Sequence, residues 1–451
     1  MAEQMKSSGI EWIKDIPSSW EINKVKYLAT EPGTLFLDGD WIESDVIEES
    51  GIRYLTTGNV GAGFYKEQGC GYISEKTFSE LHCLNVYPGD LMISRLNEPI
   101  GRACIIPNTE SRYVVAVDNV ILRPNANYNK KFIMYGMNAD GYAEHANMIA
   151  RGATMSRISR SQLGQFWLAF PNIEEQQAIA DFLDKECAQI DSIAADLEKQ
   201  ITLLQQYKKS LITEAVTKGM DKSVPMKDSG VEWIGKIPEH WKISRVRHLA
   251  SLCSGATPSK DVLSYWEGNI PWVSSQEVKS DIIEDTSLHI SEEAINNCST
   301  QLMPAGTLVM VVRSGILQHT IPIALLGVPA TINQDIKAFQ FNHLMLPAYF
   351  KYYIQGENDA LLSVIIKDKT TVESVDNQLL LSLKIMVPPI EEQKTIVAFL
   401  NYKCRYIDKI LNDKQEQLNL LMQHKKSLIY EYVTGKKQVK ESISVRRKPY
   451  R

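Results

Sequence analysis

The sequence has no long apolar run and no paired cysteines. None of its hydrophobic stretches approaches the roughly 18–20 residues needed to cross a bilayer, and the opening residues MAEQMKSSGIEWIKDIP lack the apolar segment of a secretory signal. The seven cysteines are odd in number and form no C-x-x-C pair, which argues against a disulfide framework and a zinc site. We therefore expect a cytoplasmic protein with reduced, mostly buried thiols and no membrane partner.

Motifs of catalysis are also missing. The chain has no G-x-x-x-x-G-K-[ST] phosphate loop and no Asn/Asp-Pro-Pro-Tyr/Phe segment of the kind that grips a flipped base in amino-methyltransferases. Gly61-Ala62-Gly63 lacks the third glycine of a dinucleotide-binding turn, and the eight histidines are isolated. The sequence thus predicts no catalytic residue, no metal and no cofactor in this chain.

One acidic pattern leaves an alternative open. Asp261 followed by Glu277-Val278-Lys279 resembles the carboxylate pair and lysine of a metal-dependent nuclease. The corresponding place in the first half of the chain, residues 57–60, has no such carboxylate, and E-x-K triplets are frequent by chance. A solvated strand end is the alternative interpretation.

Positive charge is scarce outside the C-terminus. Residues 436–451 hold seven Lys/Arg and one Glu, a net of +6, and because the whole chain carries −5 the remainder carries −11. Non-specific affinity for nucleic acid depends on many Lys/Arg contacts to phosphate, so the body is not an indiscriminate nucleic-acid binder. The tail is predicted to be a disordered basic arm with non-specific affinity for phosphate.

An internal duplication organises the chain. SGIEWIKDIPSSWEINKVKYLA at 8–29 matches SGVEWIGKIPEHWKISRVRHLA at 229–250 in 12 of 22 positions, and residues 171–219 match 388–436 in 25 of 49. Between these ends the identity fades to an outline, such as IRYLTTGNV at 52–60 and IPWVSSQEV at 270–278. Similar ends around a divergent middle indicate one scaffold that carries two specificities.

The 49-residue blocks predict long helices. Apolar residues recur in steps of four and three, interrupted only by Lys208 in the first block and by Lys414 and Lys425 in the second. Such sustained heptads favour a coiled coil, and a core helix in a larger bundle is the alternative. About 40 helical residues span about 60 Å. The predicted seam consists of Leu183, Ile190, Leu197, Leu204, Leu400, Ile407, Leu411 and Leu418.

The globular stretches read as mixed α/β domains, with short β-rich runs separated by Gly/Pro/Asn turns. Their basic residues are the candidates for contacts to phosphates or to guanine edges, although each alone is typical of an ordinary surface charge. The candidates are Arg95, Arg102, Arg151, Arg157 and Arg160 in the first copy, and Lys260, Lys279, Arg313, Lys367 and Lys369 in the second.

Several motifs resemble a known family. They are SG[IV]EWI-x-x-IP-x-x-W opening each copy, RGATMSRIS at 151–159, GATPSK…YWEGNIPWVSSQEV at 255–278, and P-x-I-EEQ…I-x-x-FL leading each long helix. Together they resemble the specificity subunits of type I restriction–modification systems, over nearly the whole chain and in the family's order. One departure is KDKTTVESV at 367–375, which lacks the glycine of RGATMSRIS.

The resemblance implies a division of the chain. Target-recognition domains at 1–170 and 220–387 would be joined by helical regions at 171–219 and 388–435, which pair as an intramolecular antiparallel coiled coil, followed by the tail at 436–451. Each domain would read one half of a bipartite DNA site. The helix length of about 60 Å, against about 34 Å per duplex turn, implies an unread spacer between the halves.

The resemblance also implies partners. A non-catalytic chain of this family binds double-stranded DNA and two methyltransferase subunits, which use S-adenosylmethionine to methylate adenine, and restriction subunits add ATP- and Mg-dependent translocation and cleavage. Two rival interpretations are a specificity protein tethered to a nuclease and a coiled-coil adaptor with two protein-binding domains and no role on DNA. Within this chain, the two domains, the two helical regions and the tail account for all residues, so no segment is left that could form a nuclease or methyltransferase domain.

Overall fold

The computed structural model describes residues 4–69, 71–150, 156–366 and 372–439. The chain divides into two compact units, and the division falls within the long helices. The first unit consists of residues 1–197 and 416–451, and the second consists of residues 198–415. None of the helices in the described residues is long and apolar enough to cross a membrane. The described cysteines are free, and Cys70 lies outside the described residues.

In the first unit, short strands and helices precede a long helix. The strands are β1, Met5–Ser7; β2, Asp15–Pro17; β3, Glu21–Lys24; β4, Leu35–Asp38; β5, Ile52–Leu55; β6, Tyr72–Ile73; β7, Leu91–Ser94; β8, Ala103–Ile105; β9, Tyr113–Val115; β10, Asn119–Arg123; and β11, Trp167–Phe170. The helices are α1, Glu75–Glu80; α2, Lys130–Met137; α3, Asp140–Ile149; α4, Arg160–Leu163; and α5, Ile173–Lys218, which continues into the second unit. Short 3-10 turns lie at Val25–Leu28, Ser44–Val46 and Thr57–Asn59.

The second unit repeats this arrangement. Its strands are β12, Met226–Asp228; β13, Lys236–Pro238; β14, Lys242–Arg245; β15, Ala250–Ser254; β16, Ile270–Val273; β17, Ile282–Ile283; β18, His289–Ile290; β19, Leu308–Val311; β20, Ile323–Leu326; β21, Thr331–Ile332; β22, Ile336–Phe341; and β23, Lys384–Val387. Its helices are α6, Glu292–Asn297; α7, Pro347–Gly356; α8, Asn358–Ile365; α9, Asn377–Ser382; and α10, Ile390–Val433, which continues into the first unit. Its 3-10 turns lie at Val246–His248, Leu263–Trp266 and Gly315–Gln318.

The sheets of the two units correspond strand for strand. The order β4-β10-β7-β8 in the first unit matches β15-β22-β19-β20 in the second, where β17 adds a further edge strand. Likewise β6-β5-β9 matches β18-β16-β21, and β3 pairs with β11 as β14 pairs with β23. Each pair β3–β11 and β14–β23 joins the start of a globular stretch to its last strand, directly before a long helix. The mixed α/β class is therefore confirmed, and the divergent middles share one scaffold.

The repeated opening motif, residues 8–20 and 229–241, packs against the end of a long helix. In the first unit, buried Trp20 belongs to one core cluster with Tyr432 and Val433 of α10. In the second unit, buried Trp241 belongs to a core cluster with Val216 of α5. The close fit explains the glycine that follows each helix. A Cβ on Gly435 would lie 2.4 Å from Cδ of Pro17.

The long helices carry the predicted seam. Leu183, Ile190, Leu400 and Ile407 are buried, and Leu197, Leu204, Leu411 and Leu418 are partly buried. With 46 and 44 residues, α5 and α10 are about 69 and 66 Å long at 1.5 Å per residue. Within each unit the two helical segments run antiparallel. In the first unit the rings of Phe182 and Tyr432 are 4.5 Å apart and Lys425 Nζ lies 2.6 Å from Asp191, so the numbering rises along α5 as it falls along α10.

The lysines that interrupt the seam are paired. In the second unit, Lys208 Nζ donates to both carboxylate oxygens of Asp408, at 2.6 and 2.8 Å, and Lys414 donates to Gln200. A charged group in a mostly apolar seam is stabilised only where it meets its partner across the helix pair. The three lysines therefore favour one register of the two helices, in addition to the apolar residues.

A buried glutamine links each domain to its long helix, which explains the last residue of the I-E-E-Q motif. Gln176 accepts a hydrogen bond from the backbone N of Asn129 at 2.8 Å and donates to the carbonyls of Asn127 and Pro171. Gln393 makes the same three bonds in the second unit, to Leu346, Leu344 and Pro388. These backbone groups lie just before α2 and α7 and at the entry to α5 and α10.

We expect Gln176→Leu to lower the free energy of unfolding of the first unit by about 2–4 kcal/mol, because one donor and two acceptors of the backbone lose their partner at a buried site. Urea unfolding followed by tryptophan fluorescence and circular dichroism measures this change. The control is Gln189→Leu on the exposed face of the same helix, where the expected change is within about 0.5 kcal/mol. Equal effects of the two substitutions would contradict the assignment.

Candidate nucleic-acid interface

Three of the predicted arginines meet at one end of the four-stranded sheet of the first unit. Arg95 follows β7, and Arg157 and Arg160 lie just before and in α4. They share two carboxylates. Asp38 lies 3.1 Å from Arg95 Nε and 3.4 Å from Arg160 Nε, and Asp118 lies 2.7 Å from Arg157 Nη2. This group is called the arginine cluster below.

Arg95 lies inside this cluster. Its side chain is 7% exposed, and its guanidinium donates to the carbonyls of Ile158 at 3.1 Å and Val117 at 2.6 Å. Burial lowers the pKa of Arg95, and the charge of Asp38 opposes that shift. Because both of its Nη groups donate to backbone carbonyls within the domain, Arg95 ties Ile158 to the sheet end.

Arg102 has a similar structural role. Its guanidinium donates to the carbonyls of Thr57, Val60, Leu96, Asn97 and Pro99, at 2.7 to 3.2 Å. These acceptors belong to the 3-10 turn at Thr57–Asn59, to Val60 directly after it, and to the loop between β7 and β8. Arg102 therefore holds two loops together in the first unit.

Arg157 and Arg160 differ from these two residues because their side chains are 51% and 38% exposed. Arg157 forms an isolated antiparallel bridge with Leu96, so residues 156–158 extend the sheet beyond β7. The exposed guanidiniums retain donors for phosphate oxygens or for a guanine edge. Among the described candidates of the first copy, these two are therefore the ones whose side chains are accessible to a ligand. Arg151 lies outside the described residues.

In the second unit the equivalent positions carry no arginine cluster. Arg313 forms an isolated antiparallel β-bridge with Ser374, and Leu96 forms the equivalent β-bridge with Arg157 in the first unit. Ser374 therefore occupies the position that Arg157 has in the first unit. Asn377, the first residue of α9, stands where α4 begins with Arg160. Arg313 is exposed. The same place in the two scaffolds thus presents two different chemistries.

The remaining candidates of the second copy are dispersed. Lys260 is exposed in the loop before the 3-10 turn Leu263–Trp266, and Lys279 is exposed between β16 and β17. Lys367 and Lys369 lie outside the described residues. DNA contact by the ten basic residues stays a prediction, and the structure brings together only Arg95, Arg157 and Arg160 of those it describes.

The carboxylates of the arginine cluster were not identified from the sequence. Asp38 and Asp118 organise the arginine cluster, yet they lie far from Arg157 in sequence. The backbone carbonyl of Asp118 accepts from the N–H of Arg95, as that of Asp335 accepts from Val312. Asp118 and Asp335 occupy equivalent positions, so an alignment of the two copies could have identified this shared aspartate.

The nuclease-like residues form no metal centre in the described part of the chain. Among these residues, no group of three or more His, Cys, Asp or Glu side chains is placed to hold a metal ion. Glu277 instead accepts hydrogen bonds from the backbone and hydroxyl of Ser287. This bond gives Glu277 a structural role in its loop.

The fold defines a class of protein in which two copies of one α/β scaffold are carried on paired long helices. Among solved structures, one described as "Structural basis underlying complex assembly and conformational transition of the type I R-M system" has a TM-score of 0.70 at 14% identity, covering 93% of this chain and 98% of that chain. The HsdS subunit from Thermoanaerobacter tengcongensis has a TM-score of 0.51 at 13% identity, with the same coverage. These likenesses show the fold.

Sequence comparison identifies the family. The type I restriction modification DNA specificity domain matches residues 22–203 and again residues 238–420. The chain belongs to this family, as the motifs predicted.

Two relatives illustrate the similarity. The chain is 33% identical over 229 residues to the EcoR124I/EcoR124II specificity subunit of Escherichia coli, covering 50% of this chain and 51% of the relative. It is 24% identical over 378 residues to the putative MjaX specificity subunit of Methanocaldococcus jannaschii, covering 82% and 83%. The chain thus spans about half the length of the first of these relatives.

We expect Arg95→Met to lower the free energy of unfolding of the first unit by about 2–4 kcal/mol, because it removes one buried and one partly buried hydrogen bond and leaves the Asp38 carboxylate with less compensation. Arg157→Met should change it by no more than about 0.5 kcal/mol, because its ion pair is half exposed. Urea unfolding of both variants measures the difference. A stable Arg95→Met variant would show that this arginine does not hold the sheet end.

Proposed function

We propose that this chain is the DNA-recognition subunit of a type I restriction–modification complex. It binds a bipartite site in double-stranded DNA in the cytoplasm and directs adenine methylation and restriction by partner subunits. The chain contributes recognition and no catalysis, while S-adenosylmethionine, ATP and Mg belong to the partners. The observation that carries the proposal is that the DNA specificity domain matches twice, once on each copy of the scaffold.

Each copy reads one half-site in this proposal, with recognition domains at 1–170 and 220–387 and helical regions at 171–219 and 388–435. Base readout needs different side chains on equal frameworks. Equivalent positions carry Arg157 and Arg160 in the first copy and Ser374 and Asn377 in the second. Such a difference at one place in a shared scaffold supports two half-sites of different sequence.

The helix pair supports binding of methyltransferase subunits along one of its flanks. In the second unit, Leu203 and Tyr207 of α5 lie one turn apart, and their side chains are 53% and 55% exposed. Tyr406 of α10 is 61% exposed. In an antiparallel coiled coil, the heptad positions of these three residues lie on one side of the seam. The contact between Gln200 and Lys414 lies on the same side, which is called the apolar flank. The other flank, which carries the Lys208–Asp408 pair, presents Thr202, Gln205 and Arg405.

The first unit has a smaller version of this apolar flank. Ile193 of α5 and Leu420 of α10 are about half exposed and occupy equivalent heptad positions. Apolar side chains that stay exposed on one side of a coiled coil are typical of a surface covered by further helices. Two such flanks, one in each unit, fit two copies of a methyltransferase subunit, and restriction subunits join the complex they form.

Replacing residues 20–170 by the equivalent segment of another family member should change one half of the methylated site and leave the other half unchanged, because one copy reads one half. The measurement is genome-wide mapping of methylated adenines in cells that express the hybrid chain with the partner subunits. The matched control replaces residues 241–387. A change in both halves from one exchange would contradict the assignment, and so would unaltered motifs from both exchanges.

We expect Tyr207→Glu to weaken binding of the methyltransferase subunit by about 2 kcal/mol or more, about thirtyfold in Kd, because it places a charge in an apolar contact. Co-purification and light scattering with the partner subunit measure this loss. Gln205→Glu on the polar flank of the same helix is the control and should leave assembly unchanged. Equal assembly by both variants would overturn the proposed flank.

A further inference from the structure

Basic residues recur at equivalent positions near the end of the two matching opening segments, residues 8–29 and 229–250. Lys24 at the end of β3 corresponds to Arg245 at the end of β14, and Lys26 in the following 3-10 turn corresponds to Arg247. The strand registers show the equivalence, because Lys24 pairs with Trp167 as Arg245 pairs with Lys384. Each pair is called a shared basic pair below.

The shared basic pairs are available to a ligand. Lys24 and Lys26 are partly exposed, and Arg245 and Arg247 are exposed. Within the described ranges no carboxylate lies within 4 Å of these four cations, whereas Lys130, Lys131 and Lys351 each have one. Lys24 donates to the side-chain oxygen of Gln165 at 2.8 Å, and Arg247 donates to the Leu381 carbonyl and to the hydroxyl of Ser382. Because these partners are neutral, the positive charge is not compensated and can attract an anionic ligand.

Aromatic and polar groups surround the shared basic pair of the first unit. Lys24 Nζ lies 4.8 Å from the centre of the Trp167 ring, and Lys26 Nζ lies 4.8 Å from that of Tyr27. Both side chains are exposed. In the second unit, exposed His248 and Lys384 stand at the places of Tyr27 and Trp167. The charge is therefore shared by the copies, while the side chains beside it are not.

The pair also adjoins the arginine cluster. A Cβ on Gly164 would lie 3.1 Å from Cβ of Lys26 and 3.3 Å from the carbonyl of Arg160, so Lys26 flanks the short helix α4 that Arg160 begins. Lys26 and Arg160 therefore both lie beside Gly164, the residue that follows α4. In the second unit the shared pair adjoins α9 in the same way, because Arg247 donates to the Leu381 carbonyl.

We infer that the two shared basic pairs bind the phosphate backbone of DNA, one pair beside each half-site, and contribute affinity without sequence preference. The inference rests on the proposed function and deepens it. Phosphates are the same at every site, so contacts to them can be retained in both copies, whereas base contacts must differ. The cations that recur at Lys24, Lys26, Arg245 and Arg247 fit the first kind of contact, and the copy-specific residues next to them fit the second.

The experiment uses the complex of the full chain with its methyltransferase subunits. Lys24→Ala with Lys26→Ala, and separately Arg245→Ala with Arg247→Ala, are compared with the unaltered chain. The probes are a duplex that carries the motif recovered from methylated adenines and a duplex of equal length with the motif scrambled. Kd is measured by fluorescence anisotropy over a series of salt concentrations.

Each double variant should weaken binding of both duplexes by the same factor and reduce the slope of log Kd against log salt by about 2, because each lost phosphate contact contributes about 0.9. The methylated motif should stay the same. The chain offers its own matched controls. Lys24→Arg with Lys26→Arg, and Arg245→Lys with Arg247→Lys, keep the charge and should bind normally.

Three results would overturn the inference while leaving the proposed function intact. They are an unchanged salt slope, a changed methylated motif, and loss of the methyltransferase subunits from the purified variant complex, which would assign the shared basic pairs to a protein contact. Lys76→Ala, an exposed lysine on α1, controls for a general change in surface charge. If the unaltered complex binds neither duplex, the proposed function fails and this inference fails with it.

Discussion

Each long helix carries a stripe of apolar side chains that must be buried away from water. Burial of the two stripes against each other is the interaction on which the organisation of both units depends. In the first unit, Leu183 and Ile190 of α5 lie in one core with Leu428 and Tyr432 of α10. In the second unit, Ile212 of α5 lies in one core with Leu400 of α10. Because these segments are separated by some two hundred residues, the pairing turns a tandem duplication into two compact units that each draw on both repeats.

The same constraint explains why the ends of the repeats are alike. The opening motif receives the end of a helix, the glutamine of I-E-E-Q fixes where that helix leaves its domain, and the seam lysines meet carboxylates or an amide across the pair. Each of these contacts has a specific geometry. The loops of the divergent middles need only be held in place by the sheets beneath them, so their sequences can differ between the copies.

The sequence predicted the scaffold but did not separate structural arginines from candidate DNA contacts, for a physical reason. Heptad spacing is local, so Leu183 and Ile190 could be assigned to a seam without knowing their partners. The role of Arg95 depends on Asp38 and on the carbonyl of Ile158, which come from distant parts of the chain. The sequence does not distinguish a buried structural arginine from an exposed one. Only the burial of the side chain and its partners in the structure distinguish Arg95 from Arg157.

The composition of the first unit has a consequence for synthesis. The second unit is one continuous segment, residues 198–415, whereas the first unit needs residues 416–451 as well as residues 1–197. A growing chain can therefore complete its second unit while the first still lacks part of its core, even though the first was made earlier. A premature stop shortly before residue 416 removes Leu428 and Tyr432 from the core around Trp20. Loss of the C-terminal residues thus destabilises the N-terminal domain, which the order of the domains along the chain alone would not suggest.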